Sequence, residues 1–123
     1  MYTCQKADEY IEKNRVDRAD KPEFHLTTPV GWLNDPNGFS IYGGKAHLFY
    51  QFHPYSTEWG PMHWGHSTSD DFIRWEELPT ALAPDSDYDA FGCFSGTAIE
   101  NDGKHVLFYT GVVEEKLADG TKN

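Results

Sequence analysis

Gly44-Lys45-Ala46-His47-Leu48-Phe49-Tyr50 and Gly103-Lys104-His105-Val106-Leu107-Phe108-Tyr109 share the pattern GKxxLFY, with corresponding positions 59 residues apart. Each copy follows a turn sequence, Gly43-Gly44 in the first and Asn101-Asp102-Gly103 in the second. Such residues supply the positive φ that two-residue hairpin turns need. The repeat predicts two equivalent β-hairpins, and a repeat of short antiparallel strands favours propeller blades over a sandwich.

The rest of the chain after residue 21 consists of short aromatic and β-branched runs separated by Gly, Pro, Asn and Asp. This pattern is typical of strands joined by tight turns. Residues 1–21 are charged and predict a short peripheral helix, whereas residues 22–123 are assigned to a truncated propeller domain. Because a blade takes about 40 to 60 residues, the chain provides one to two blades of an all-β fold. The predicted strands are Phe39–Tyr42, Ala46–Phe52, His63–Ser69, Arg74–Leu78, Gly92–Glu100 and His105–Val112.

The charge of the chain disfavours nucleic acid as a partner. Asp and Glu outnumber Lys and Arg by 20 to 10, for a net charge of −10, and such a surface repels polyanions. The N-terminal residues contain no apolar run typical of a secretory leader, and no stretch reaches the ~18 apolar residues of a membrane span. We expect a cytoplasmic protein without membrane contact. Cys4 and Cys93 are too few for a disulfide framework, so we expect two free thiols.

The densest polar constellation is Trp32-Leu33-Asn34-Asp35-Pro36-Asn37-Gly38. Asp-Pro-Asn-Gly alone is typical of a β-turn with a capping Asp. Its context adds a second interpretation, because a carboxylate and a carboxamide fixed beside Trp32 form a rigid polar group next to an aromatic surface. Glycoside hydrolysis needs such a carboxylate at the anomeric carbon, together with a second carboxyl group.

Three further positions could contribute to a sugar site, each with a structural alternative. Gln51 lies in the apolar run 48–52, where its amide needs a partner, either a structural hydrogen bond or a sugar hydroxyl. Trp59 lies in a polar loop, where an exposed indole often marks a binding surface but can also pack. Ser95, which follows Phe94, could donate to a ligand hydroxyl or satisfy nearby backbone.

Two patterns fail as metal sites. Residues 85–89 resemble the start of a calcium loop, but Ala90 stands where Gly is needed and Gly96 where Glu should chelate. We expect a solvated turn there. His63 and His66 are three residues apart, so on a strand their side chains point to opposite faces. We therefore expect neither a metal nor another cofactor.

The segment Trp32–Gly38 resembles the nucleophile motif of glycoside hydrolase family 32, which comprises invertases, sucrose-6-phosphate hydrolases, levanases and inulinases. HLTTPVGWLNDPNG, LFYQFHP, WGHSTSDDFIRWEELPTALAPD and CFSGTA follow one another in the order of that family. The resemblance covers about residues 23–112. An ordered series of this length is far more specific than any one of its motifs.

The resemblance implies a five-bladed β-propeller followed by a β-sandwich, with the active site in a funnel at the propeller axis. It implies retaining hydrolysis of β-fructofuranosides, with sucrose, sucrose 6-phosphate or a fructo-oligosaccharide as the small-molecule partner. Asp35 is the implied nucleophile. The substrate-binding residues assigned with it are Trp32, Leu33, Asn34, Gln51, Trp59, Phe94 and Ser95.

The family also has an Arg-Asp-Pro segment that stabilises the transition state and a Glu-Cys segment that carries the acid/base, and neither string occurs here. None of Glu58, Glu76, Glu77 and Glu100 lies in a matching motif. We expect both segments in later blades, so that these 123 residues alone are inactive and poorly folded while the full-length protein is a glycosidase. The alternatives are a non-catalytic carbohydrate-binding propeller and an arabinanase-like hydrolase, the latter disfavoured by the FYQFHP and FSG segments.

Overall fold

A computed structural model describes residues 1–115, 117–118 and 120–122 of the chain. Within them, one α-helix and a short 3-10 turn at Arg18–Asp20 precede six strands. The elements are α1 Cys4–Asn14, β1 Trp32–Tyr42, β2 Lys45–His53, β3 His63–Ser69, β4 Glu76–Leu82, β5 Gly92–Asn101 and β6 Lys104–Val112. The predicted all-β class with one peripheral helix is confirmed.

Strands β1 to β4 form one antiparallel sheet in which each strand pairs with the next along the chain. β3 has the predicted bounds, and the predicted ends of β2, β5 and β6 are off by one residue at most. β4 begins at Glu76 rather than Arg74, because Asp71 Oδ1 accepts hydrogen bonds from the backbone N–H groups of Ile73 (2.9 Å) and Arg74 (2.7 Å). Those N–H groups are engaged in a turn instead of the sheet.

The two GKxxLFY segments form the second strands of two equivalent hairpins, as predicted. The β1–β2 turn has positive φ at Gly43 (57°) and Gly44 (79°), and the β5–β6 turn has positive φ at Asp102 (49°) and Gly103 (73°). Two successive residues with positive φ give the turn a twist that matches the flanking strands. The sequence signal was sufficient here because both turns are decided by local residues.

Strands β5 and β6 form a second sheet, and β5 packs against β1. Phe49, Trp64, Cys93 and Ala98 are buried together at this junction. The Cys93 N–H donates to the carbonyl oxygen of Met62 (2.8 Å), so the backbone also connects the sheets. Neither sheet closes on itself among the described strands, which leaves a four-stranded blade beside a hairpin.

Helix α1 lies against the first sheet. Thr3 caps it by accepting a hydrogen bond from the Lys6 N–H (3.2 Å), and Ile11 packs with Tyr50 and Phe52. Asp8 Oδ1 accepts from the Thr80 N–H (2.9 Å), which ties the helix to β4. No helix in the described part of the chain has the length and apolar character needed to cross a membrane.

Residues 85–89 are not simply a solvated turn, because Asp89 is buried with 2% exposure. Its carboxylate accepts hydrogen bonds from the Tyr109 hydroxyl (2.7 Å) and the Ser86 N–H (2.9 Å), and the thiol of Cys93 lies 3.7 Å away. Burial raises the pKa of that thiol, and the Asp89 charge raises it further. Packing of this loop against β6 overrides its polar composition. Cys4 and Cys93 are both free.

Histidines line the junction between the two hairpins. His47 Nε2 donates to the carbonyl oxygen of Tyr42 (3.2 Å), so a neutral His47 accepts through Nδ1 from His66 Nε2 (2.9 Å). His105 of β6 bonds to Ser40 of β1 through Nε2 (2.8 Å), with its ring 4.8 Å from that of His47. Burial and the neighbouring His47 and His105 lower the pKa of His66 to about 4. We call His47, His66 and His105 the histidine cluster.

His63 and His66 contact different surroundings, as their spacing predicted. His63 lies 5.5 Å from the ring of Tyr2 on the helical side, whereas His66 stacks on Phe49 at 4.1 Å. In the part of the chain that the structure describes, no group of three or more His, Cys, Asp or Glu side chains is arranged to hold a metal ion.

Candidate active site

The Asp-Pro-Asn-Gly segment lies inside β1, so its interpretation as an isolated β-turn was wrong. Asn34 pairs with Gln51, and the register then shifts between Asn34 and Pro36 and again between Asn37 and Ser40. Such shifts are β-bulges, which leave residues unpaired and re-aim side chains. The sheet pairing on both sides of the segment overrides its turn propensity. β1 therefore begins at Trp32 rather than at the predicted Phe39.

The first bulge leaves Asp35 without a partner residue on β2. Its side chain is exposed, and its carboxylate makes no hydrogen bond within the described residues. Its backbone carbonyl accepts from the Asn37 side-chain amide (3.2 Å), which supports the bulge. A rigid main chain thus presents an uncommitted carboxylate, as a nucleophile requires.

Gly38 makes possible the second register shift of β1, between Asn37 and Ser40. It is buried with φ of 57°, and a Cβ atom at this position would lie 2.7 Å from the ring of Phe49. The left-handed region is costly for other residues, and here there is no room for a side chain either. Gly38 therefore lets β1 run directly over Phe49.

Trp32 and Asn34 form a pair on one face of β1. The Trp32 indole N–H donates to Asn34 Oδ1 (2.6 Å), which leaves the Asn34 amide N–H groups to bind a ligand acceptor. Leu33 lies between them and packs instead with the cluster of Ile11, Tyr50 and Phe52. The structure thus brings Trp32 and Asn34 together, whereas Leu33 is partly buried against the core cluster that includes Ile11 of the helix.

Gln51 occupies the next strand, opposite Asn34 on one side and Trp64 on the other. It is buried, and its Nε2 donates to the carbonyl oxygen of Cys93 (2.9 Å). The structural hydrogen bond that the sequence left as an alternative is therefore present. Gln51 Oε1 has no hydrogen bond among the described residues, so it can accept one from a ligand hydroxyl.

Trp64 was not identified from the sequence as a site residue. It makes a second hydrogen bond from the first sheet to β5, next to the one made by Gln51. Its indole N–H donates to the carbonyl oxygen of Phe94 (3.2 Å), next to the carbonyl that Gln51 engages. Two side chains of the first sheet thus bind consecutive carbonyls of β5. We call the oxygens of Cys93 and Phe94 the carbonyl pair. No motif marks Trp64, and the signal available was only its position in a strand rich in small residues.

Trp59 lies in an aromatic group with Phe91 and Phe94, and it remains 50% exposed. Its ring is 6.0 Å from Phe91 and 6.1 Å from Phe94, the latter edge-on. The loop is held by His53, whose Nδ1 donates to the carbonyl oxygen of Glu58 (2.9 Å). Phe91 and His53 were missed by the sequence reasoning. The group offers an apolar, half-open surface of the kind on which sugar rings stack.

Ser95 follows Phe94 on β5 and is partly exposed. Its carbonyl oxygen accepts from the Thr110 hydroxyl (3.5 Å), whereas its own hydroxyl has no partner in the described part of the chain. Asn34, Gln51, Trp59 and Phe94 are thus connected by strand pairing, hydrogen bonds and ring contacts, and Asp35 and Ser95 adjoin them in the chain.

The model of the "Glycosyl hydrolases family 32 N-terminal domain" matches residues 25–123. The chain belongs to this family. A sucrose-6-phosphate hydrolase of Escherichia coli is 55% identical over 92 residues, which are 75% of this chain and 19% of that protein. A levanase of Bacillus subtilis is 47% identical over all 123 residues, 18% of its own length.

Solved family 32 structures share the fold of the chain. A variant of a Bombyx mori family 32 β-fructofuranosidase in complex with sucrose superposes with a TM-score of 0.84 at 46% identity, over 97% of this chain and 25% of that one. The family and the assignment to the first blades of its propeller are confirmed. The chain spans about a fifth of the length of these curated relatives, 18% of the levanase and 19% of the E. coli enzyme.

Proposed function

We propose that the full-length protein hydrolyses β-fructofuranosides such as sucrose or sucrose 6-phosphate, with Asp35 as the nucleophile. The observation that carries the proposal is the exposed, unpaired carboxylate of Asp35 on a bulge of β1, beside the connected group of Asn34, Gln51, Trp59 and Phe94. The names of family relatives support the substrate class, since they include sucrose-6-phosphate hydrolases and a β-fructofuranosidase solved with sucrose.

The reaction follows the retaining pattern with two carboxyl groups. Asp35 attacks the anomeric carbon of the fructosyl unit while a carboxylic acid protonates the departing glycosidic oxygen. Water then attacks the covalent intermediate, with the second carboxylate as base, and releases fructose with its configuration retained. We place that second group, and the transition-state Asp, in parts of the full-length protein outside these residues.

The neighbouring residues hold the fructosyl unit. The amide N–H groups of Asn34 and the Oε1 of Gln51 bind sugar oxygens and hydroxyls, and the Ser95 hydroxyl does the same from β5. Trp59 and Phe94 provide the apolar surface against the ring. Trp32 orients Asn34 through its 2.6 Å hydrogen bond, and Leu33 supports the strand from the core side.

The decisive experiment measures sucrose and sucrose 6-phosphate hydrolysis by the full-length protein and its Asp35→Asn variant. Loss of the nucleophile should lower kcat by about 10⁴-fold or more. Asp87→Asn is the matched control, because Asp87 is exposed and has no hydrogen bond within the described residues. Near-normal turnover by Asp35→Asn would contradict the assignment. Sucrose binding without hydrolysis by the unaltered protein would instead support a non-catalytic carbohydrate-binding propeller.

The cytoplasmic location stays a prediction. Fractionation of cells that express the full-length protein would test it, with sucrose hydrolysis followed in each fraction.

A further inference from the structure

A groove between residues 15–27 and the β3–β4 region of the first sheet gathers four of the positive charges of the chain. It has a volume of about 640 Å³ and is lined by Arg15, Arg18, Lys21 and Arg74, with Phe24 and Trp75 in its wall. These are four of the ten Lys and Arg residues in a chain of net charge −10. None of the eight candidate active-site residues lines it. We call it the basic groove.

The acidic residues of the basic groove do not neutralise it. Among the described residues, Glu23 and Glu77 are the acidic side chains that line it, against four cationic ones. Arg15 binds Glu77 through two nitrogens (2.9 and 3.0 Å) and Glu12 through one (2.8 Å), so Glu77 is already engaged. Arg74 lies 3.5 Å from Asp71. Of the lining charges, Arg18 and Lys21 then remain against Glu23 alone.

Arg18 and Lys21 have no ion pair or side-chain hydrogen bond in the part of the chain that the structure describes. Lys21 is half-buried, so its ammonium group loses hydration without gaining an ion-pair partner among the described residues. Burial lowers its pKa, and the nearby Arg15 and Arg18 lower it further against the opposing effect of Glu77. Cationic groups placed together in this way are stabilised by a bound anion.

We propose that the basic groove binds a small phosphate monoester of sugar size. Phosphate offers several charged acceptor oxygens, which suit a guanidinium fork and an ammonium group together. A volume of about 640 Å³ exceeds the needs of inorganic phosphate and lies in the range of small-molecule sites. Phe24 and Trp75 provide aromatic surface for the organic part of the ligand.

The test is calorimetric titration of the full-length protein with glucose 6-phosphate and, separately, with inorganic phosphate at constant ionic strength. Glucose 6-phosphate should bind more tightly than inorganic phosphate because the aromatic wall contributes. Lys21→Gln and Arg18→Gln should each weaken binding by about 10-fold or more, the effect of one charge-assisted hydrogen bond. Sucrose turnover should be unchanged in both variants.

Two controls separate the basic groove from other sites. Lys104→Gln removes an exposed cation outside the groove and should leave the Kd unchanged, as should Asp35→Asn. Equal Kd values for Lys21→Gln and the unaltered protein would overturn the proposal. So would the absence of any binding, which is the result expected if another part of the full-length protein places a carboxylate in the groove.

Discussion

At the scale of single residues, the carbonyl pair shows how the first sheet orients the second. Gln51 and Trp64 are cross-strand partners, and their N–H groups reach the oxygens of Cys93 and Phe94. The backbone just before Ser95 is therefore set by side chains from another sheet. Trp64 is fully buried and has no contact role with substrate, so it is a positioning residue.

Trp64→Phe should raise KM for sucrose by about 3- to 10-fold with a smaller change in kcat, because a displaced Phe94 weakens binding in ground and transition states alike. Trp75→Phe is the control, since the Trp75 indole has no hydrogen bond within the described residues. Steady-state kinetics of both variants of the full-length protein would decide. A loss confined to kcat, or the same KM in both variants, would show that the Trp64 hydrogen bond does not position Phe94.

Gly38→Ala should be much less stable than Gly43→Ala, although both positions have φ of 57°. Both variants bear the cost of a left-handed alanine, about 1–2 kcal/mol. Only at Gly38 would the new Cβ also meet the Phe49 ring, whereas nothing lies within 4 Å at Gly43. We expect a further loss of about 1–3 kcal/mol from this overpacking. Thermal unfolding of the two variants would measure the difference, and equal midpoints would contradict it.

At the scale of elements, the histidine cluster joins strands from both hairpins. It is satisfied when neutral, because His47 accepts from His66 while donating to Tyr42. A proton added to His66 would place a buried positive charge 5.1 Å from the His47 ring, where burial and the neighbouring histidines disfavour it. The junction between the sheets should therefore weaken in acid.

The pKa values of His63 and His66 set the pH range in which the protein loses stability. Burial lowers the pKa of His63 to about 4, and burial with its two neighbours lowers that of His66 to about 4, against 6.5 when unfolded. Between pH 6.5 and about 4 the unfolded chain binds more protons, so stability falls as the pH falls. His66→Gln should lessen this decline, whereas the exposed His25→Gln should not. Unfolding midpoints at several pH values would test it, and parallel curves for all three proteins would refute it.

How far the sequence predicts each element depends on where its pairing residues lie. The hairpin turns were predicted correctly, because Gly43-Gly44 and Asp102-Gly103 determine them locally. The start of β1 was missed, because Trp32 is held in the sheet by pairing with His53, 21 positions along the chain. The hydrogen bond from Gln51 to Cys93 joins two sheets, and no pattern within either strand specifies it.

At the scale of the whole molecule, the proposed reaction needs two carboxyl groups, of which the described residues would supply one, that of Asp35. Glu77 is paired with Arg15, and Glu76 lies 3.9 Å from Lys45 at the opposite edge of the sheet from β1. The proposed recognition of fructose could be inferred from motifs spread over both sheets. The acid/base could not, since no residue here matches its motif.

A protein limited to residues 1–123 should hydrolyse sucrose at least about 10³-fold more slowly than the full-length protein, because we place the proton donor for the leaving group outside these residues. The large exposed side chains of Ile99 and Phe108 on the hairpin also favour poor folding of the piece alone. Initial rates at equal molar concentration would measure the ratio, and circular dichroism would report folding. Comparable rates would mean that the second carboxyl group lies within this chain.

The hydrogen bonds to the carbonyl pair have an evolutionary consequence. The two hairpins carry the same GKxxLFY signature, and copies of a repeated unit are usually free to diverge separately. Here a substitution at Gln51 or Trp64 in the first unit alters the backbone of the second beside the proposed sugar site. Changes in one hairpin therefore require compensation in the other, and new substrate preferences in this lineage should arise by paired substitutions across the two sheets.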